Sequence, residues 1–309
     1  MLYTVENGII QAEKVELNVT HHCNLTCRGC THLSPTVAKS SMSPETVLRD
    51  LTDLSHSMKV RFVSILGGEP LLHPDIINVI KAARESDISP NIRVTTNGVM
   101  LPRMAEEFWA QVDEVQISEY PGVELAEEQI EACTRLAEKY ETRFVIWRYE
   151  EFREGYSETG TDDSKLISRI YSTCLQAHAW DCFTVQDGHF FKCPPSVFLP
   201  RVLGTSQLAD PFADGIRIEP KPEFADQILA YLKSTKPLAA CRHCLGSSGK
   251  SFYHEQLGRK DWRAHQQSTS EQMLDEPNLE WLEAGNTEYK NDNVEIGFRE
   301  LVPGRMTLI

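Results

Sequence analysis

Seven of the nine cysteines fall into two groups. Cys23-Asn24-Leu25-Thr26-Cys27-Arg28-Gly29-Cys30 spaces three thiols as CxxxCxxC. Three thiolates on one short loop can hold three irons of a four-iron cubane and leave the fourth iron open. Soft thiolates suit iron–sulfur or zinc. A structural zinc takes four protein ligands, and in that reading His21 or His22 supplies the fourth. The second group is Cys174, Cys193, Cys241 and Cys244. Cys241-Arg242-His243-Cys244 is a CxxC that offers two thiolates from one turn, and an Asp-Gly hairpin ahead of Cys193 folds that residue back toward the base of its ribbon. Four thiolates saturate a cluster, or equally close a structural zinc that would make this region a mechanical clamp. Cys133 lies among Ile130, Leu136 and Ala137 at helical spacing and reads as a buried core cysteine. Cys182 reads as core or as an exchanged ligand of the second group.

The composition limits the settings for this chemistry. The chain has 309 residues, 41% hydrophobic and 25% charged, which suits one large domain with a smaller one. A net charge of -14 repels phosphate backbones, so nucleic acid is not an expected partner. No apolar run reaches about 18 residues, so no membrane partner is expected. MLYTVENGII lacks the basic and apolar regions of a secretory signal. The expected location is cytoplasmic, where thiols stay reduced and metal ligation is the better reading of clustered cysteines.

Strands alternating with helices must position the first group. Val15 to Thr20 reads as a strand feeding the loop that opens at His21-His22-Cys23. Ser43-Pro44-Glu45 starts a helix that runs to His56. Further strands are expected at Arg61–Leu66, Ile92–Thr96, Val115–Ser118 and Arg143–Arg148. Helices are expected at Pro74–Glu85, Met104–Gln111 and Ala126–Tyr140. This order implies βαβ units and a parallel sheet, with chemistry at the C-terminal strand ends. Residues 153–165 read as a polar linker. Phe183 to Phe191, around Asp187-Gly188, reads as a hairpin. A helix is expected at Phe224–Lys233. The tail from Ser251 is polar, with a short helix near Asn278–Glu283 and a strand near Val294–Arg299.

Taken in order along these strands, the motifs resemble the radical S-adenosylmethionine (SAM) superfamily over about residues 15–148. CxxxCxxC follows the first strand. Gly67-Gly68-Glu69-Pro70 follows the second and is similar to the family's GGEP. Thr95-Thr96-Asn97-Gly98 follows the third, and Ser118 ends the fourth. The resemblance implies that Cys23, Cys27 and Cys30 hold a [4Fe–4S] cluster whose open iron binds SAM. It implies that Gly67, Gly68, Glu69, Pro70, Thr96, Asn97 and Ser118 contact SAM. Many members carry an aromatic residue just before the third cysteine. This chain has Gly29 there, and His32 is the candidate substitute against the adenine. The second cysteine group resembles the twitch domain of radical SAM dehydrogenases acting on aminocyclitols, a shortened SPASM domain, which implies a second [4Fe–4S] cluster on Cys174, Cys193, Cys241 and Cys244.

The expected fold is therefore α/β: a partial (β/α)6 TIM-like barrel over 1–165, an auxiliary-cluster domain with a β-hairpin and helix over 166–250, and a C-terminal extension over 251–309 that covers the site. The expected cofactors are two [4Fe–4S] clusters and SAM. The expected partners are a small-molecule substrate and an electron donor such as flavodoxin or ferredoxin. The resemblance implies a 5′-deoxyadenosyl radical that takes hydrogen from a polar sugar-, aminocyclitol- or nucleoside-like substrate, giving oxidation or decarboxylation. A peptide-modifying maturase is the alternative. A zinc-bound structural protein and an electron-transfer iron–sulfur protein are readings of a different class. Candidate catalytic residues are Arg148 at the fifth strand end, for a carboxylate or hydroxyl, with Glu119 and Tyr120 after the fourth, for proton transfer. His254 and Glu255 are further candidates to reach the site.

Overall fold

The computed structural model describes residues 3–204, 208–221, 223–265, 267–287, 297–304 and 307. β1 (Tyr3–Glu6) turns through Asn7 and Gly8, both at positive φ, into the long β2 (Ile9–Thr20). Alternating helices and strands follow: α1 (Pro44–Ser55), β3 (Met58–Gly67), α2 (Ile76–Glu85), β4 (Asn91–Thr96), α3 (Glu106–Trp109), β5 (Glu114–Glu119), α4 (Glu127–Lys139) and β6 (Arg143–Arg148). Then come β7 (Glu151–Arg153), α5 (Ser164–Ser172), α6 (Leu175–His178), β8 (Thr184–Gln186), β9 (His189–Phe191), α7 (Pro194–Leu203), β10 (Gly215–Arg217) and α8 (Phe224–Lys233). The chain continues through β11 (Ser251–Tyr253), α9 (Arg259–His265), α10 (Ser270–Met273), α11 (Glu276–Glu283) and β12 (Gly297–Val302).

The main sheet runs β10-β9-β8-β2-β3-β4-β5-β6-β12, with β1 beside β2. The strands from β8 through β6 run parallel, while β9, β10 and β12 are antiparallel to their neighbours. This is a mixed α/β fold with a parallel central sheet, consistent with the expected partial barrel. Strand periodicity sorts its two faces. Val15, Leu17 and Val19 of β2, Val63 and Ile65 of β3, Val94, Ile117 and Ile146 pack with α1, α2 and α4 in one apolar core. The intervening residues form the opposite, concave face. Glu16, Ser64, Arg93, Glu114 and Arg143 lie in register across it. Arg93 and Arg143 each meet the buried Glu114, at 2.6 and 2.7 Å, and Lys14 pairs with Glu16. The concave face is thus polar and charge-paired rather than a second apolar core.

The caps and turns follow local chemistry. Ser43 accepts the Thr46 N–H at 3.2 Å, and Pro44 opens α1 as expected. Asp187 and Gly188 take φ of 50° and 73°, the paired positive values of a two-residue hairpin turn. That hairpin is not a separate ribbon. β8 joins β2 in register, Phe183, Val185 and Phe190 enter the main core, and Gly188 N–H donates to the buried Asp50 of α1 at 2.8 Å.

The expected linker over 153–165 is instead pinned. Ser157 and Thr161 N–H groups donate to the carbonyls of His243 and Arg242, at 2.8 and 3.0 Å. β7 pairs with β11, so this stretch ties the tail to the cysteine-bearing region. The tail helix appears as α11. The expected strand at Val294–Arg299 begins outside the described residues, and the strand observed, β12, closes onto β6. Among the described residues no helix is long and apolar enough to cross a membrane.

Candidate cofactor and active site

The first cysteine loop leaves the C-terminal end of β2. The turn after β3 is zipped to it: Gly68 N–H donates to the Thr20 carbonyl at 2.7 Å, and Glu69 N–H to the His22 carbonyl at 2.8 Å. A Cβ on Gly67 or Gly68 would fall well inside contact distance of Thr20 O or His22 O, so only glycine lets the two backbones approach. Glu69 is fully buried. Its carboxylate accepts the Leu71 N–H at 3.0 Å, the Thr96 hydroxyl at 2.6 Å and the Asn97 N–H at 2.8 Å. Burial pushes its pKa up while these three donors hold it down. Asn97 then donates to Asn24 at 2.7 Å, one residue from Cys23.

The three thiols are free, and each lies within electrostatic reach of another. Burial is the largest cause raising Cys23, to about 12, with Cys30 and Glu69 adding to it. Burial likewise drives Cys27 upward, with Cys30 and Cys23 next. Bringing thiols this close disfavours their ionisation, and a metal centre between them would favour the thiolates. Each flanking histidine has one ring nitrogen engaged by a neighbour. His21 Nδ1 lies 2.9 Å from Ser40 Oγ, and His22 Nε2 lies 3.1 Å from Lys39 Nζ. Among the described residues no three His, Cys, Asp or Glu side chains converge as ligands of a single metal ion. Zinc needs sulfurs about 2.3 Å from one point.

A segment from far along the chain straps this loop. Arg28 N–H donates to the Glu255 carbonyl, Leu257 N–H to the Thr26 carbonyl, both at 3.0 Å, and the indole of the buried Trp262 to the Cys27 carbonyl at 2.9 Å. Arg28 also meets the carboxylates of Glu255 and Glu154 and lies 4.0 Å over the Phe252 ring. His254 Nε2 lies 3.1 Å from Cys27 Sγ, and the His254 ring stacks on Tyr120 with centroids 4.8 Å apart. Burial raises the Tyr120 phenol well above its usual range, with the Cys27 charge second.

The second group lines one cavity. Cys174, Cys193, Cys241 and Cys244 line a small cavity of about 20 Å³ with apolar neighbours including Ile170, Leu238 and Ala240. A Cβ on Gly246 would sit 3.2 Å from Cys174 Sγ, so glycine keeps that wall open. Asp214 accepts the Ala239 and Ala240 N–H groups at 2.6 and 2.8 Å, which fixes the turn carrying Cys241. One apolar group, including Phe198, Tyr156 and Trp262, packs against both Cys30 and Cys244.

Residues 17–118 match the radical SAM superfamily. This stretch is a radical SAM domain. Its curated relatives include a protein named Probable GTP 3′,8-cyclase from Thermoplasma volcanium, 37% identical over 106 residues, covering 34% of this chain and 31% of that one. A GTP 3′,8-cyclase from Chlorobaculum tepidum is 37% identical over 93 residues, covering 30% and 28%. The chain thus spans about a third of the length of the curated relatives it matches. Similar solved structures include BtrN in complex with AdoMet and 2-DOIA, at 12% identity and a TM-score of 0.37, covering 75% of this chain and 92% of that one. Streptococcus suis SuiB bound to S-adenosylmethionine gives 15%, 0.35, 65% and 66%.

A radical SAM domain implies SAM and one [4Fe–4S] cluster, and the first site fits both. Cys23, Cys27 and Cys30 supply three thiolates. Glu69 has an unused lone pair and no cationic partner among the described residues, which suits the SAM ammonium. Gly67, Gly68, Pro70, Thr96 and Asn97 surround it, and Ser118, next to last in β5, hydrogen-bonds Tyr120. His32 is half-buried, edge-on to Phe198 with ring centroids 5.5 Å apart, and burial lowers its pKa to about 4.

Two expected catalytic residues lie elsewhere. Arg148 and Glu119 share the strand parity of the helix-packed residues, so they leave the radical SAM domain on the side away from the concave face. There Arg148 meets Glu119 and Glu150 at 3.1 Å and Glu124 at 3.4 Å. Tyr120, just past β5, stacks on His254, which lies against Cys27. Sequence spacing missed the Trp262 and Arg28 contacts, because they join positions 126 to 235 apart without a local motif. It also missed Asn18, whose parity within β2 is the signal that finds it.

Proposed function

We propose that this protein is a radical SAM enzyme with an auxiliary [4Fe–4S] cluster, oxidising or decarboxylating a polar sugar- or nucleoside-like small molecule. One observation carries the reading: the cysteine loop stands over a concave face that holds Asn18 fully buried, with neither amide atom hydrogen-bonded among the described residues. A buried unpaired amide is costly, so the position suits a ligand presenting both a donor and an acceptor. Lys14, Arg93 and Arg143 on this face are each engaged by Glu16 or Glu114, which leaves none of the three for a triphosphate. The names of the curated relatives speak of GTP. The charge pairing here favours a substrate without that phosphate chain.

When bound, the first cluster supplies the electron that cleaves SAM to methionine and a 5′-deoxyadenosyl radical, which takes a hydrogen atom from the substrate. The protein's own residues bind, orient and seal. Cys23, Cys27 and Cys30 hold the cluster, and Glu69 accepts from the SAM ammonium. The strap from His254 to Trp262 excludes water above Cys27. Cys174, Cys193, Cys241 and Cys244 hold the auxiliary cluster. An external one-electron donor of the flavodoxin or ferredoxin kind serves the first site.

The test is metal and sulfide content after anaerobic reconstitution, with dithionite-driven formation of 5′-deoxyadenosine in the same preparation. About eight irons with 5′-deoxyadenosine support the reading. About four irons with activity remove the auxiliary cluster. Zinc alone with no SAM cleavage overturns the proposal.

A further inference from the structure

Lys192, next in sequence to Cys193, is fully buried. Its ammonium donates to the Tyr171 hydroxyl at 2.7 Å, the Leu232 carbonyl at 3.2 Å and the Ser234 carbonyl at 3.3 Å. Three acceptors use all three protons of an ammonium, and all three acceptors are neutral. Among the described residues Lys192 makes no ion pair. Asp214, on the same recess, is committed to the Ala239 and Ala240 N–H groups, and the Tyr231 hydroxyl accepts the Lys192 backbone N–H at 3.0 Å. Burying a cation without a counter-ion is costly, and an unbranched apolar side chain would fill the same space without that cost. Tyr171, which accepts from the Lys192 ammonium, itself lines the cavity of the four cysteines; burial lowers the Lys192 pKa, and the charges of Cys193 and Cys241 oppose that.

We propose that Lys192 is the counter-ion of the second cluster and raises its reduction potential. The inference rests on the reading that this site holds a [4Fe–4S] cluster. On accepting one electron, a four-thiolate cluster becomes one unit more negative. A fixed positive charge across a low-dielectric wall favours that reduced form. Lys192 is a tuning residue: it touches neither substrate nor SAM and acts through the cluster. The Tyr171, Leu232 and Ser234 acceptors hold it in place whichever charge the cluster carries.

The experiment uses the full chain with Cys23, Cys27 and Cys30 all changed to alanine, so that only the second site can hold iron. Iron content comes first. About four irons confirm the cluster, while zinc or no iron overturns the second-cluster reading and this inference with it. The midpoint potential is then followed by dye-mediated titration and electron paramagnetic resonance. Lys192→Met is expected to lower the reduction equilibrium constant by about tenfold, 59 mV for one electron. Lys192→Arg is expected to keep the parent potential. Lys192→Gln keeps a donor for the two carbonyls and serves if the Met variant does not fold. An unchanged potential in a neutral variant that retains its iron overturns the inference.

Discussion

At the scale of single residues, Glu69 does two jobs with one carboxylate. It fixes Leu71, Thr96 and Asn97, and it offers its remaining lone pair to a cation. Glu69→Gln is expected to cost about 1–3 kcal/mol, because one amide face must confront a backbone N–H. SAM binding by equilibrium dialysis should weaken at least tenfold, and undiminished binding refutes the role of Glu69. Asp181 gives a pH test. Burial holds its carboxyl up to about 6 from an ordinary 3.8, with Lys14 opposing and Glu13 and Glu16 adding. The native state therefore keeps its proton where the unfolded chain has lost it. Stability falls as pH rises from about 4 to 6, and the deficit is complete above 6. Asp181→Asn should gain stability in urea at about pH 7.5 and show a smaller gain at about pH 5; equal gains at both pH values count against it. The two cysteine groups were legible as groups because thiol spacing is a local signal. The face that Arg148 and Glu119 take was not legible, because a strand end alone does not say which face a side chain takes.

At the scale of elements, the decisive contact is the passage of the Gly67-Gly68 turn beneath the end of β2. Gly68→Ala must push the His22 carbonyl aside, at about 1–3 kcal/mol. The expected result is a folded protein that reconstitutes little first-site iron and keeps the second site. Normal iron at both sites would show that the close approach is dispensable. Trp262→Phe removes the indole donor to Cys27 O and should raise uncoupled SAM cleavage in the absence of substrate by loosening the strap. The βα alternation, the α1 cap and the Asp-Gly turn were readable because each rests on neighbours within a few positions. α7 was not, since Pro194, Pro195 and Pro200 all lie within it and no helical signal in the sequence marks it. In the structure the prolines open a helix whose residues are almost all buried.

At the scale of the whole molecule, the cysteine-bearing hairpin and the radical SAM domain share one sheet and one core. The two regions should therefore lose structure together. Phe190→Ala, at the centre of that shared core, is expected to cost about 3–5 kcal/mol. Circular dichroism and cluster absorbance should still fall in a single coincident denaturant transition. Two separated transitions would divide the chain into independent units. Composition pointed to a folded α/β chain, but it could not show that β8 docks beside β2. That pairing lies between residues far apart, and the hydrophobic pattern of a three-residue strand is too short to specify it.

The strap over the first loop also has a place in time. Cys27 and the indole that covers its carbonyl are 235 positions apart. At about 5–20 residues per second of synthesis, the three thiols leave the ribosome on the order of ten to fifty seconds before Trp262 exists. During that interval the loop is open to an iron–sulfur carrier, and once the strap docks the entrance narrows around whatever has been delivered. Translation itself thus sets a delivery window, and a slow stretch of codons before Trp262 would lengthen it.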